Sequence, residues 1–167
     1  MKEILRTRRL LLREMTEGDI PDLEEMLLDP EVMYAYPHIF TKEDVENRLA
    51  RQQQRYRQDG FGLWAVVLRS TGEMVGQAGL TWQDCEGQPV LEVGYLLQKR
   101  FWHQGYASEA ARACRDYAFR VLGAEKVSSI IKTDNLASIR VAQRNGMARE
   151  KAFTAHYYNV PVPHYLY

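Results

Sequence analysis

The 167-residue chain has two cysteines, no net charge and no long apolar run, and each shortage removes a class of function. Two cysteines, Cys85 and Cys114, cannot build a disulfide framework, which points to a reduced protein. Cys114 falls on the apolar face of a predicted helix. Cys85 falls in a predicted loop, where a nucleophile is the alternative to a bystander, but no histidine lies near it in sequence. Lysine plus arginine equals aspartate plus glutamate at 22 each, so no net field draws the chain to nucleic acid or an anionic membrane. No run approaches ~18 apolar residues, and Lys2, Glu3, Arg6, Arg8 and Arg9 leave no signal-peptide core. A soluble, cytoplasmic protein is expected. GxxxxGK[ST] is absent, which excludes an NTPase P-loop, and so is GxGxxG, which weakens a dinucleotide site. The four histidines and two cysteines lack ligand spacing, so no metal is expected.

What is present is an ordinary globular composition, 46% apolar and 26% charged, at a length that suits one domain over residues 1–167. Arg8 to Glu14 reads as a strand. Thr16 with Asp19 then starts a helix striped by Ile20, Leu23, Met26 and Leu27, which stops near Asp29-Pro30. Thr41 and Asp44 cap a second helix that runs to Asp59-Gly60. Leu63–Arg69, Met74–Trp82 and Val90–Leu97 form a meander, with Ser70-Thr71-Gly72-Glu73 as its first turn. Ala107, Ala110, Ala111, Cys114, Tyr117, Ala118, Val121 and Leu122 recur at helical spacing, small enough to lie flat on a sheet. Lys126–Lys132 is a strand, and a β-α-β order makes it parallel to Val90–Leu97. Met147–Thr154 and Pro161–Tyr167 are weaker terminal strands. No repeat or linker interrupts the chain.

The chemistry concentrates between the third strand of the meander and the long helix. His103, Gln104, Gly105, Tyr106, Ala107 and Ser108 form a loop that opens the helix, so its unpaired N–H groups and the positive end of the helix dipole make an anion site. Gly105 lets backbone approach closely and Ala107 does not block it. A glycine before a helix is also a common turn, so a second motif is needed. It comes about thirty residues later, where Asp134-Asn135-Leu136-Ala137-Ser138 opens a helix closed by Asn145-Gly146.

In this order the two motifs resemble the GNAT superfamily of acyl-CoA N-acyltransferases. Glu92-Val93-Gly94-Tyr95 followed by Phe101-Trp102-His103-Gln104-Gly105-Tyr106-Ala107-Ser108-Glu109-Ala110 looks most like its RimJ/RimL-type branch, as do Arg8-Arg9-Leu10-Leu11-Leu12-Arg13 and Gly18-Asp19. The resemblance covers nearly the whole chain. It implies an α+β (α/β/α) fold: a mixed, mostly antiparallel sheet with a splayed central parallel strand pair and helices on both faces. It also implies acetyl-CoA as cosubstrate without a metal. His103 to Ser108 would hold the pyrophosphate, and Tyr95, Leu96 and Leu97 the pantetheine amides. Asn135 would contact the pantetheine, or cap its helix, or both.

The implied reaction is direct attack of a neutral amine on the thioester, with a backbone N–H stabilising the oxyanion. Glu92 is the candidate base, against a polar residue on a solvated strand face; strand alternation puts it on the side of Gly94 and Leu96 and opposite Tyr95 unless a bulge intervenes. Many relatives carry a tyrosine acid seven residues after the motif asparagine, where this chain has Ala142. Ser138 or a water is the substitute, with Tyr157, Tyr158, His164 and Tyr165 also within the C-terminal segment. Deprotonating a lysine ε-amine of pKa near 10.4 at pH 7 costs about 5 kcal/mol, against about 1 for an α-amine near 7.8. A site with no evident acid therefore suits an α-amine, such as a protein N-terminus. The alternatives are a small-molecule amine (a polyamine, amino acid or antibiotic) and a non-catalytic acyl-CoA-binding module. Tyr34, Tyr36, His38 and Trp82 would wall the acceptor pocket, or pin a loop to the core. Monomer and homodimer both remain open.

Overall fold

The computed structural model describes residues 2–34, 40–157 and 160–167. Its strands are β1 (Glu3–Arg6), β2 (Leu10–Arg13), β3 (Leu63–Leu68), β4 (Met74–Cys85), β5 (Gln88–Leu97), β6 (Ile130–Lys132), β7 (Lys151–Tyr157) and β8 (Val160–Leu166). Its α-helices are α1 (Ile20–Leu27), α2 (Lys42–Gln58), α3 (Tyr106–Arg120) and α4 (Leu136–Arg144). β1 to β5 pair antiparallel in chain order, and a second sheet runs β6-β8-β7. The two meet at one parallel contact, where Ser128 N donates to Leu91 O and Val93 N donates to Ser128 O, both at 2.8 Å. This is the expected mostly antiparallel sheet, opened at a parallel pair.

Strand alternation sends successive side chains to opposite faces. Trp64 and Val66 of β3, with Ala78, Leu80 and Val93, bury against Ala110, Ala111, Cys114 and Ala118 of α3. Small residues at those helical positions let the helix sit close to the strands. Ala65 and Met74 face the other way, onto Leu23, Met26 and Leu27 of α1 and Val45 and Leu49 of α2. Each fully buried leucine or valine contributes about 1.5–3 kcal/mol, so both faces hold the sheet in place. Among the described residues no helix is long and apolar enough to cross a membrane.

Local chemistry accounts for most boundaries. At Thr41, the hydroxyl accepts from Asp44 N at 3.2 Å while Asp44 accepts from Thr41 N at 2.8 Å, the reciprocal cap expected from the sequence. Asp19 ends a short 3-10 turn rather than starting α1 directly, and takes both arms of Arg13 at 2.8 Å. Three expectations are corrected. β1 adds a strand that the sequence pattern does not predict, because a charged edge strand carries little periodicity. The β4–β5 hairpin extends past Trp82 to a two-residue turn at Glu86 and Gly87, with φ of 51° and 81°. Cys85 therefore ends a strand rather than sitting in a loop. It is buried with a thiol pushed above its ordinary value, which removes the nucleophile alternative.

Candidate active site

Among the described residues, the backbones of β5 and the segment leading into β6 meet only around Glu92 and Ser128. Beside the Glu92–Ser128 contact, the buried Ser129 hydroxyl donates to Val93 O at 2.8 Å. Beyond it, β6 turns its pairing to β8, with Ile130 opposite Leu166 and Lys132 opposite His164. β5 stays with β4. The strands part, and a cleft of about 490 Å³ opens between them, continuous with the loop at the start of α3. Because Val93 N–H points to Ser128, the backbone N–H groups of Tyr95 and Leu97 point the same way, into the cleft. The Leu96 carbonyl points instead toward β4, where it would lie 2.2 Å from a Cβ at Gly76. Leu96 thus lines the cleft while its backbone serves β4.

The loop that opens α3 has an unusual backbone. His103 and Gly105 both adopt left-handed backbone, with φ of 62° and 82°. Alternation of this kind turns successive N–H groups to one side, and at His103 it carries the strain often found at binding sites. Among the described residues the backbone N–H groups of residues 103–108 find no acceptor, and α3 has no side-chain cap. Ser108 Oγ is buried without a hydrogen-bond partner. The loop is anchored beneath by Phe101 and Tyr106, buried with ring centroids 6.5 Å apart. His103, Gly105, Tyr106, Ala107 and Ser108 all line the cleft. Gln104 does not: its carbonyl accepts from Arg9 at 2.9 Å and its amide donates to Arg100 O at 3.4 Å.

Asn135 does cap α4, its Oδ1 accepting from Ser138 N at 3.3 Å and from the Tyr34 hydroxyl at 2.8 Å. Its amide nitrogen has no partner among the described residues, and the residue lines the cleft. Tyr95 crosses from β5 to α4, donating its hydroxyl to Ser138 O at 2.9 Å. Burial raises that hydroxyl's pKa, so it stays a neutral strut.

On the opposite face, β4 and β5 run in unbroken register, so no bulge redirects Glu92. It faces the α2 side with Gly94, whose missing side chain leaves Glu92 Oε1 4.0 Å from the point a Cβ would occupy. Glu92 Oε2 accepts from Ile130 N at 2.6 Å. Burial pushes the carboxyl up to about 7, although the Ile130 N–H and the Arg55 guanidinium both pull it down. A carboxyl that exchanges its proton near neutrality, at the edge of a cleft, has the properties of a general base. His164, buried on β8 and stacked on Phe153 at 5.8 Å, lines the same cleft.

Other candidates separate. Tyr165 packs against the Ile131, Ala142 and Tyr167 cluster and does not line the cleft. Ala142 itself is buried in that cluster, whereas Ser138 lines the cleft. Trp82 is half exposed beside Phe61 and does not line it. Tyr36, His38 and Tyr158 lie outside the described residues, and the side chain of Tyr157 is likewise not described. Lys132, Arg140 and Arg144, to which the sequence assigns no role, also line the cleft, as does Trp102 of the motif. The i, i+4 spacing of the two arginines was the available signal. Trp102 Nε1 donates to Leu97 O at 3.1 Å, closing off one carbonyl of the cleft wall.

A mixed sheet split at a parallel pair, with unpaired N–H groups at the mouth of the split, defines an acyltransferase scaffold. The chain belongs to the GNAT acetyltransferase family, whose domain model matches residues 9–148. YkkB of Bacillus subtilis (strain 168) is 38% identical over 165 residues, covering 98% of this chain and 95% of YkkB. A GNAT-family acetyltransferase from Bacillus anthracis superposes with a TM-score of 0.82 at 26% identity, over 97% of this chain and 95% of that one. A RimL ribosomal L7/L12 α-N-protein acetyltransferase, solved in complex with coenzyme A, shares the fold at a TM-score of 0.78 and 21% identity, over 99% and 97% of the two chains. The protein is an acyltransferase of the GNAT type.

Proposed function

We propose that this acetyltransferase takes acetyl-CoA as donor and a protein or peptide N-terminal α-amine as acceptor. The observation that carries the donor half is the set of unpaired N–H groups over residues 103–108 at the mouth of the split. A diphosphate satisfies such donors, which the left-handed Gly105 leaves without a side-chain cap. The orphaned Ser108 hydroxyl adds a further donor within the same turn. Beyond the loop, the Tyr95 and Leu97 backbone and the Asn135 amide suit the two amides of a pantetheine arm. The thioester brings an activated acetyl group, and the residues of the cleft orient it and handle protons.

The base is Glu92. Its carboxyl near 7 is half ionised at neutral pH, enough to accept a proton from an amine whose own pKa is close. Such a base suits an α-amine near 7.8 better than an ε-amine near 10.4, where about 5 kcal/mol must be found before attack. The fold shared with an α-N-protein acetyltransferase is in keeping with this acceptor. Ser138, which lines the cleft at the start of α4, would donate to the departing thiolate, itself a fair leaving group without help.

The test has two parts. Coenzyme A at one hundred times its Kd should stabilise the fold by about 2.7 kcal/mol, read as a thermal shift. Thiol release from acetyl-CoA should then be faster with N-terminal peptide amines than with the same peptides blocked at the α-amine and carrying a free lysine. No thermal shift would defeat the donor assignment, and a preference for the lysine amine would defeat the acceptor assignment.

A further inference from the structure

Arg9 sits in the turn between β1 and β2, more than ninety residues away in sequence from the loop that it touches. Its Nη1 donates to Gln104 O at 2.9 Å and its Nε to Glu109 Oε1 at 2.7 Å. Its backbone N–H donates to Glu109 Oε2 at 3.0 Å. The guanidinium lies 4.4 Å over the Tyr106 ring. A Cβ on Gly105 would stand 3.3 Å from Nη2. One side chain therefore contacts three members of the loop and first turn and closes the space behind the fourth.

We propose that Arg9 is a positioning residue for diphosphate binding: it fixes the left-handed shape of the 103–105 backbone and neutralises Glu109, the acidic residue of the first turn of α3. The proposal rests on the reading of this loop as the coenzyme A diphosphate site. An anion drawn to the start of α3 would otherwise meet a carboxylate in the same turn, in conflict with the field of the helix. The Thr7 hydroxyl and the two Arg9 donors hold that carboxylate from behind, and they keep its pKa low although burial alone would raise it. The flat fork of an arginine is needed, because it bonds a carbonyl and a carboxylate while stacking on a ring; a lysine ammonium cannot do all three.

The experiment compares coenzyme A affinity with turnover of acetylpantetheine, which lacks the diphosphate, in the wild type, R9A, R9K and R9A/E109Q. R9A should raise the coenzyme A Kd about tenfold, and R9K by less, as expected for loss of charge-assisted contacts. The KM for acetylpantetheine should stay within about twofold. Removing the carboxylate as well, in R9A/E109Q, should recover about threefold of the lost affinity, the non-additivity of a coupled pair. Wild-type affinity in R9A, or equal losses with both donors, overturns the proposal. If R9A does not fold by circular dichroism, R9K carries the same comparison and is read in the same way. A wild-type protein without affinity for coenzyme A would instead overturn the site assignment on which the proposal stands.

Discussion

The two faces of the split between β5 and β6 are built from different materials. The mouth beside α3 is made of backbone: N–H groups of residues 103–108 aimed outward by two left-handed residues and the start of a helix. The face toward α2 is made of side chains, Glu92 from β5, Lys132 from β6 and His164 from β8, with Tyr34 reaching across to Asn135. Backbone donors suit a ligand part that is the same in every turnover, since they depend little on side-chain identity. Side chains suit the acceptor end, where the proton must be managed and the substrate chosen. If this division is right, damage to one face should change donor affinity and spare the pH profile, and damage to the other should do the reverse.

The largest effect is expected from Glu92→Gln. Loss of a general base should lower kcat/KM by on the order of 10²-fold, with the coenzyme A Kd unchanged. In the wild type, kcat/KM should show a limb at about 7 from Glu92 in addition to the one set by the acceptor amine near 7.8; the Glu92 limb should vanish in the variant. Stability should move in the opposite sense. The folded-state pKa of Glu92 is raised, so its charged form is disfavoured on folding. That penalty is absent below the ordinary carboxylate value of 4.5 and complete above about 7. The melting temperature of Glu92→Gln relative to wild type should therefore increase from pH 4 to pH 8. A flat difference together with an intact rate limb would remove Glu92 from the mechanism.

Next in size is Gly105→Asp, which breaks the backbone face alone. The left-handed φ of 82° strains any side chain, Arg9 Nη2 stands in its way, and the added carboxylate repels phosphate. Coenzyme A affinity should fall about 10²-fold, or about 2.8 kcal/mol, while the Glu92 limb of the residual rate stays at about 7. A titration calorimeter and a pH series measure both. Asn135→Ala should destabilise the protein by about 1 kcal/mol through its lost cap and also weaken coenzyme A binding; an effect on stability without one on binding would confine Asn135 to capping. The smallest change is expected from Tyr95→Phe, which loses the bond to Ser138 O. Chemical denaturation should show a loss of about 1 kcal/mol with the pH profile intact.

Much of the donor face was legible along the chain. Gly105 before an amphipathic helix, and Asn135 three residues ahead of Ser138, are local patterns whose geometry follows from capping and from the unpaired groups of a first turn. Leu96 shows the limit. Three consecutive residues of β5 look equivalent when written in a row, but pairing with Gln77 commits the backbone of the middle one to β4. Gln104 shows a similar limit: its carbonyl is taken by an arginine from the other end of the chain, which leaves its backbone N–H as the group open to an anion. The strand placement of Cys85 is hidden from the sequence because the hairpin runs on to Glu86 and Gly87, and a non-glycine residue at positive φ leaves no mark in composition.

The sequence by itself determined the order of the elements, the loop at 103–108, the capping of α2 and α4 and the choice of small residues under α3. These depend on neighbours a few positions apart, and short-range sterics and hydrogen bonding decide them. Only the tertiary structure decided where β5 and β6 part, which backbone groups face the opening, the raised pKa of Glu92 and the approach of Arg9 to Gly105 and of His164 to the cleft. Each of these is set by burial and by contact between segments distant along the chain, quantities that packing fixes and that no local pattern of residues encodes.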